Sequence, residues 1–211
     1  MNYICNCKKI NFKKIEYTYW EDRNVTTDEL DIINFLKKLK NFNSKSILHI
    51  GIGSSYFANK FSKDNQIIGL TVSQKEINRA NELNLSNYKV FLCDKYSIEF
   101  KSSFNNIKFD YIVDTNLKSY SCCIEAFNYF MKNLISKLKN NGVLVTSKNG
   151  MRWFKQLKPK LSFNFKNFFH FKLKEVSGNY ENILTIDELE NFSKSYNLKM
   201  SFDEKLCYLE K

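Results

Sequence analysis

Between Ser46 and Thr146, short apolar runs alternate with longer stretches in which apolar residues recur at every third or fourth position. The runs Ser46–Ile50, Gln66–Leu70, Tyr88–Leu92, Phe109–Val113 and Gly142–Thr146 predict five strands, the last entered by an Asn140-Asn141-Gly142 turn. The intervening stretches predict helices. One covers Tyr56–Phe61. A second runs from a Ser73 cap to about Leu83, with Glu76 completing a capping box. A third covers Cys122–Leu138, with Phe127, Phe130, Leu134 and Leu138 in phase. Upstream, Thr26 or Thr27 caps a helix whose apolar side carries Leu30, Ile33, Leu36 and Leu39 or Phe35. Downstream, Thr185 and Glu188 form a capping box for a helix to about Tyr196. The runs Leu198–Phe202 and Lys205–Leu209 then predict a strand pair joined at Asp203-Glu204.

Apolar strands separated by helices imply an α/β fold with a mostly parallel sheet covered on both faces, a three-layer sandwich. The terminal pair brings the sheet to seven strands and adds one antiparallel strand. The 211 residues suit one domain. It divides into an N-terminal cap (1–42), a core (46–146), an aromatic stretch (151–182) and a closing helix and strand pair (183–211). The cap helix is expected on the sheet edge or over a site. The aromatic stretch carries Trp153, Phe154, Phe163, Phe165, Phe168, Phe169 and Phe171, and the single proline, Pro159. It is either an insertion with its own small core or a lid over a substrate, and its place after the fifth strand favours the lid.

Composition changes this picture little. Hydrophobic residues make up 43% of the chain, enough for a real core, and one Pro with six Gly leaves little room for long linkers. The formal charge of +11 raises nucleic acid, a membrane surface or an anionic substrate as partners. Lysine is spread along the chain, however, with no dense basic run, so a solvated surface is the preferred reading and nucleic acid is not the expected partner. No apolar stretch approaches the ~20 residues of a membrane span. Lys8, Lys9, Lys13 and Lys14 interrupt the first fourteen residues, which hold no apolar signal segment. The six cysteines are therefore expected as thiols in a cytoplasmic protein. Two histidines, His49 and His170, are too few to suggest a zinc site, and no metal is expected.

The chemistry concentrates at the strand ends. The first strand runs into Ile50-Gly51-Ile52-Gly53-Ser54-Ser55. There Gly51 permits a tight turn and Gly53 lets backbone approach a ligand. A dinucleotide fingerprint wants a third glycine, and Ser55 or Tyr56 stands there, so an NAD site is poorly served. The second strand ends at Thr71, where a side chain meets a ribose in a doubly wound fold. The third ends in Cys93-Asp94, whose acid can accept from an adenine amino group. The fourth ends in Asp114-Thr115-Asn116 at the mouth of the crevice.

Over roughly 46–146 and the closing elements, the sequence resembles the class I, Rossmann-like S-adenosylmethionine-dependent methyltransferases. Ser46-Ile-Leu-His-Ile-Gly-Ile-Gly-Ser54 looks like the family's first motif. Phe91-Leu-Cys-Asp94 looks like its adenine-binding strand end, Phe109–Asp114 like its fourth motif, and Leu138–Val145 like the entry to its fifth strand. Gly69-Leu-Thr-Val-Ser-Gln-Lys-Glu76 resembles the second motif of cyclopropane-fatty-acid synthases and related small-molecule enzymes, in which Thr replaces the ribose-binding acid. The resemblance implies that S-adenosyl-L-methionine is held by His49, Ile50, Gly51, Gly53, Ser54, Thr71, Val72, Glu76, Cys93, Asp94, Asp114 and Thr115. Glu76 reads equally as a helix cap. His49 stands where the family has an acid facing the cofactor's ammonium; a neutral imidazole accepts a hydrogen bond there and an imidazolium repels that charge. The fourth motif lacks the Glu-His pair of cyclopropane synthases and the Asp/Asn-Pro-Pro-Tyr of nucleic-acid amino-methylases.

Methyl transfer is an in-line displacement, in which positioning dominates and an alcohol acceptor also needs a base. Asp114 and His170 are the candidate bases, though each also reads as structural. Asn116, Tyr120, Lys148 and Arg152 are candidates for orienting a polar or anionic acceptor. The expected activity is O-methylation of a small molecule: a sugar, a sugar phosphate or a natural-product intermediate. Two alternatives stay open. A nucleic-acid methyltransferase predicts cations gathered around the crevice, and a non-catalytic binding module predicts a filled crevice. A homo-oligomer is compatible with either.

Overall fold

The computed structural model describes residues 25–104, 106–151 and 183–211. Seven strands form one sheet: β1 (Ser46–Ile50), β2 (Gln66–Thr71), β3 (Tyr88–Leu92), β4 (Phe109–Asp114), β5 (Leu138–Ser147), β6 (Lys199–Phe202) and β7 (Leu206–Glu210). Their order is β3-β2-β1-β4-β5-β7-β6. The first five are parallel, and β7 runs antiparallel between β5 and β6. This is the expected α/β sandwich with its single reversed strand. The chain winds outward from β1 in both directions, so a crevice opens between the carboxyl ends of β1 and β4.

The helices of the described residues are α1 (Thr27–Lys38), α2 (Tyr56–Phe61), α3 (Gln74–Glu82), α4 (Ile98–Ser102), α5 (Ile124–Ser136), α6 (Lys148–Met151) and α7 (Ile186–Ser195). Side chains alternate across the central strands and feed two cores. Leu48, Ile112 and Leu144 face one core, built on Phe100, Phe127, Phe130 and Leu134. Ile47, Val113 and Val145 face the other, with Ile32, Ile33 and Leu36 of α1 and Phe57 of α2. Each fully buried Leu, Ile or Phe stabilises the fold by about 1.5–3 kcal/mol. Edge strand β3 leaves Phe91 and Leu92 exposed.

The structure sharpens the sequence reading at some places and departs from it at others. Helix α1 is capped by Thr26, whose hydroxyl accepts from Glu29 N–H. Its buried stripe is Glu29, Ile32, Ile33 and Leu36, with Leu30 only half-buried. Of the two expected placements, sheet edge or over a site, it takes the second: it shares a core with Ile47 of β1 and Val145 of β5, and its first turn lines the cavity described below. The Asn140–Gly142 turn is instead an irregularity inside a ten-residue β5: pairing jumps from Phe109↔Leu138 to Tyr111↔Val143. Asn141 there takes a left-handed φ of 64°. Leu138 therefore starts a strand, and α5 ends at Ser136, with Cys123 as the N-cap. The Thr185 capping box forms in full, whereas that of Ser73 forms only in half. Helices α4 and α6 were not expected. Beyond β5 and α6, Leu184 N–H donates to the Met151 carbonyl at 2.8 Å. The aromatic stretch between them, with His170 and Arg152, lies outside the described residues. No described helix is long and apolar enough to cross a membrane.

Candidate cofactor-binding site

A cavity of about 320 Å³ opens at the carboxyl ends of β1 to β4. Its size falls in the range of small-molecule sites. Every residue expected to hold the cofactor lines it: His49, Ile50, Gly51, Gly53 and Ser54 from the first tip, Thr71, Val72 and Glu76 from the second, Cys93 and Asp94 from the third, and Asp114 and Thr115 from the fourth. Asn116 and Tyr120 line it as well.

The glycine turn forms the floor. Gly51 and Gly53 have φ of +78° and +50°, and a Cβ added to either would meet no atom within 4 Å. Both glycines are thus required by conformation, and the space above them is open to a ligand. Gly51 N–H donates to Leu70 O at 2.8 Å, tying the turn to β2. Ser55, where a dinucleotide site wants glycine, is buried in the left-handed region and bonds Tyr88 through its hydroxyl at 3.0 Å.

At the second tip, Thr71 donates its hydroxyl to the Glu76 carboxylate and accepts Ser73 N–H at 3.0 Å. This explains the half-formed capping box: Ser73 N–H is already taken, so Glu76 turns toward Thr71 and the cavity. Burial raises the Glu76 carboxyl above its usual range, and the Thr71 bond opposes the shift. At the third tip, Asp94 Oδ1 accepts Tyr96 N–H at 3.0 Å and fixes the loop into α4. Burial pushes the Cys93 thiol up to about 11, which keeps it protonated. At the fourth tip, Asp114 Oδ2 pairs with Lys95 Nζ at 2.9 Å and Oδ1 accepts Asn116 N–H at 3.0 Å. Lys95 Nζ also donates to Asn116 O at 2.8 Å. Both Asp114 oxygens are therefore engaged.

His49 is 1% exposed, and burial holds its imidazole down to about 4, so it is neutral. Its Nδ1 is buried without a hydrogen-bond partner among the described residues. The N-terminal helix closes the cavity from the other side, through Thr26, Asp28 and Glu29. Asp28 accepts the Ser147 hydroxyl at 2.7 Å, and Glu29 Oε1 accepts Phe57 N–H at 3.1 Å. Burial pushes the Glu29 carboxyl up to about 7, against its backbone hydrogen bonds.

Sequence reasoning missed Lys95, Asp28 and Glu29. The signal for Glu29 was present: residues 29, 32, 33 and 36 have the spacing of one helical face, and a carboxylate on such a face needs a reason. Lys95 had only its position after Asp94. Among the described lining residues, five carboxylates (Asp28, Glu29, Glu76, Asp94 and Asp114) face one ammonium, that of Lys95. The cavity of this basic chain is thus acidic. The arrangement fits a ligand carrying a sulfonium and an ammonium.

Comparison with protein-family models and with curated proteins finds no match. Among solved structures the chain is similar to the N-methyltransferase NodS from Bradyrhizobium japonicum WM9, at a TM-score of 0.57 and 14% identity over 93% of this chain and 97% of that one. A SAM-dependent methyltransferase from Aquifex aeolicus matches at 0.55 and 13%, over 93% and 98% of the two chains. The DhpI-SAM-HEP complex matches at 0.56 and 13%, over 96% and 98%. With the strand order and the glycine turn, these likenesses show that the chain has the fold of the class I S-adenosylmethionine-dependent methyltransferases.

Proposed function

We propose that the protein is an S-adenosylmethionine-dependent methyltransferase acting on a small polar acceptor. The observation that carries this reading is the convergence of the glycine turn, the Thr71–Glu76 pair, Asp94 and Asp114 on one acidic cavity. Glu76, steadied by Thr71, would hold the ribose hydroxyls. Asp94 would meet the adenine edge, and the glycine turn would support the methionine part. When bound, the cofactor supplies an electrophilic methyl group on a sulfonium. The chain's own contribution is to hold the acceptor in line with that methyl and to keep water out. An open cavity counts against the filled crevice of a non-catalytic module. Its acidic lining counts against a nucleic-acid acceptor, for which cations should surround the crevice.

Oxygen of a sugar, sugar phosphate or natural-product intermediate is the first acceptor to test. A second reading, an amine acceptor, is favoured by the Lys95 pairing of Asp114. A carboxylate engaged at both oxygens is poorly placed to take an alcohol proton, and an amine needs less help. NodS, a neighbour in fold, is an N-methyltransferase. Calorimetric titration with S-adenosylhomocysteine tests the cofactor. Saturable binding is expected, and its absence at millimolar ligand would remove the proposal. Labelled methyl transfer to matched alcohol and amine panels separates the two acceptors.

A further inference from the structure

The acids around the cavity have distinct attachments. Glu76 is held by Thr71 on β2, Asp94 by the backbone after β3, and Asp114 by Lys95. Asp28 is bound by the Ser147 hydroxyl. Glu29 reaches the chain directly after the glycine turn, through Phe57 N–H of α2. It is a buried carboxylate on an otherwise apolar stripe, and among the described residues no ammonium or guanidinium pairs with it. Such a group is costly to bury unless a cation meets it. The polar group at the β1 tip itself, His49, is neutral and offers an orphaned Nδ1 but no charge.

Building on the proposed function, we propose that Glu29, carried by the N-terminal helix, is the countercharge for the amino group of the cofactor's methionine part. In this arrangement α1 is a component of the binding site, and the neutral His49 is a hydrogen-bonding neighbour of that ammonium. The charge that the β1 tip lacks comes from an element far from it in sequence. The role is one of binding and specificity, and no bond is made or broken by Glu29.

The test compares two ligands that share the adenosine and differ in the amino acid: S-adenosylhomocysteine and 5′-methylthioadenosine. Calorimetry on the full chain is expected to show E29Q weakening S-adenosylhomocysteine at least tenfold and changing methylthioadenosine less than twofold. E29D, which keeps the charge, should recover part of the preference. Equal weakening of both ligands by E29Q would make Glu29 a packing residue and overturn the proposal, as would unchanged affinity for both. If E29Q fails to fold, the wild type carries the test. A desamino analogue of S-adenosylhomocysteine should then bind at least tenfold more weakly than the parent, and equal binding overturns the proposal. Failure of the wild type to bind any of these ligands is a different result, which removes the cofactor assignment and this inference with it.

Discussion

Strand β4 carries an aspartate–lysine pair at each end, and the two pairs could hardly be less alike. At the amino end Asp110 meets Lys139 at 2.7 Å, with side chains 24% and 44% exposed. Burial works to raise the Asp110 carboxyl, and the bonds from Lys139 and Ser46 N–H outweigh it and hold the group low. At the carboxyl end Asp114 meets Lys95 at 2.9 Å, with side chains 3% and 10% exposed. Water solvates the first pair and is withheld from the second. An exposed pair contributes little to stability, while breaking a buried one leaves an uncompensated charge. The amino end of the sheet can thus be altered at small cost, and the carboxyl end cannot.

The largest expected effect comes from breaking the buried pair. Lys95→Met keeps the aliphatic stem and strands Asp114, and should lose about 3–5 kcal/mol in urea unfolding. Adding Asp114→Asn should restore most of it. A single variant as stable as wild type would mean that the carboxyl end is as wet as the amino end.

Next come the two carboxyl-end groups whose burial shifts oppose each other. Glu29 is held up to about 7 in the folded state against an ordinary 4.5. Its contribution is fully present below pH 4.5 and is lost as pH rises through 7. Glu29→Gln removes that loss, so its stability relative to wild type should rise across this window, by on the order of 3 kcal/mol. His49 is held down to about 4 against 6.5, so its contribution is present above pH 6.5 and lost as pH falls through 4. His49→Gln should therefore gain on wild type as the medium is acidified. In the wild type the two slopes oppose each other between pH 4.5 and 6.5. Denaturant midpoints measured from pH 4 to 8 should separate them, and parallel curves for all three proteins would contradict both assignments.

Gly51→Ala tests the floor of the cavity. The left-handed φ should cost roughly 1–2 kcal/mol. S-adenosylhomocysteine affinity should fall at least tenfold, because the new methyl occupies open space that the ligand needs. Retained affinity would place the ligand elsewhere. The smallest effect belongs to the solvated pair. Lys139→Met should change stability by less than about 1 kcal/mol and leave ligand binding untouched.

The sheet was legible because apolar runs and glycine turns are local signals. All seven strands fall within a few residues of their expected places, apart from the longer β5. The ring of strand ends was legible for the same reason, since a parallel sheet brings its carboxyl tips together whatever the side chains. What escaped was pairing at a distance. Lys95 reads as one more lysine until the Asp114 tip is brought beside it across the crevice. Glu29 reads as an acid suited to the first turn of a helix, its place in the dipole field, until the helix lands on its buried side. The Ser73 capping box failed through competition: Thr71 satisfied the same N–H first.

Met151 and Leu184 lie side by side, joined by one backbone hydrogen bond. Whatever is strung between two such anchors is closed by the framework at a cost that grows only with the logarithm of its length. Doubling it would add roughly 0.6 kcal/mol. Loop entropy therefore sets only a weak limit on how long a chain this juncture can carry. For an engineer the Met151–Leu184 juncture is a graft site with both ends already clamped.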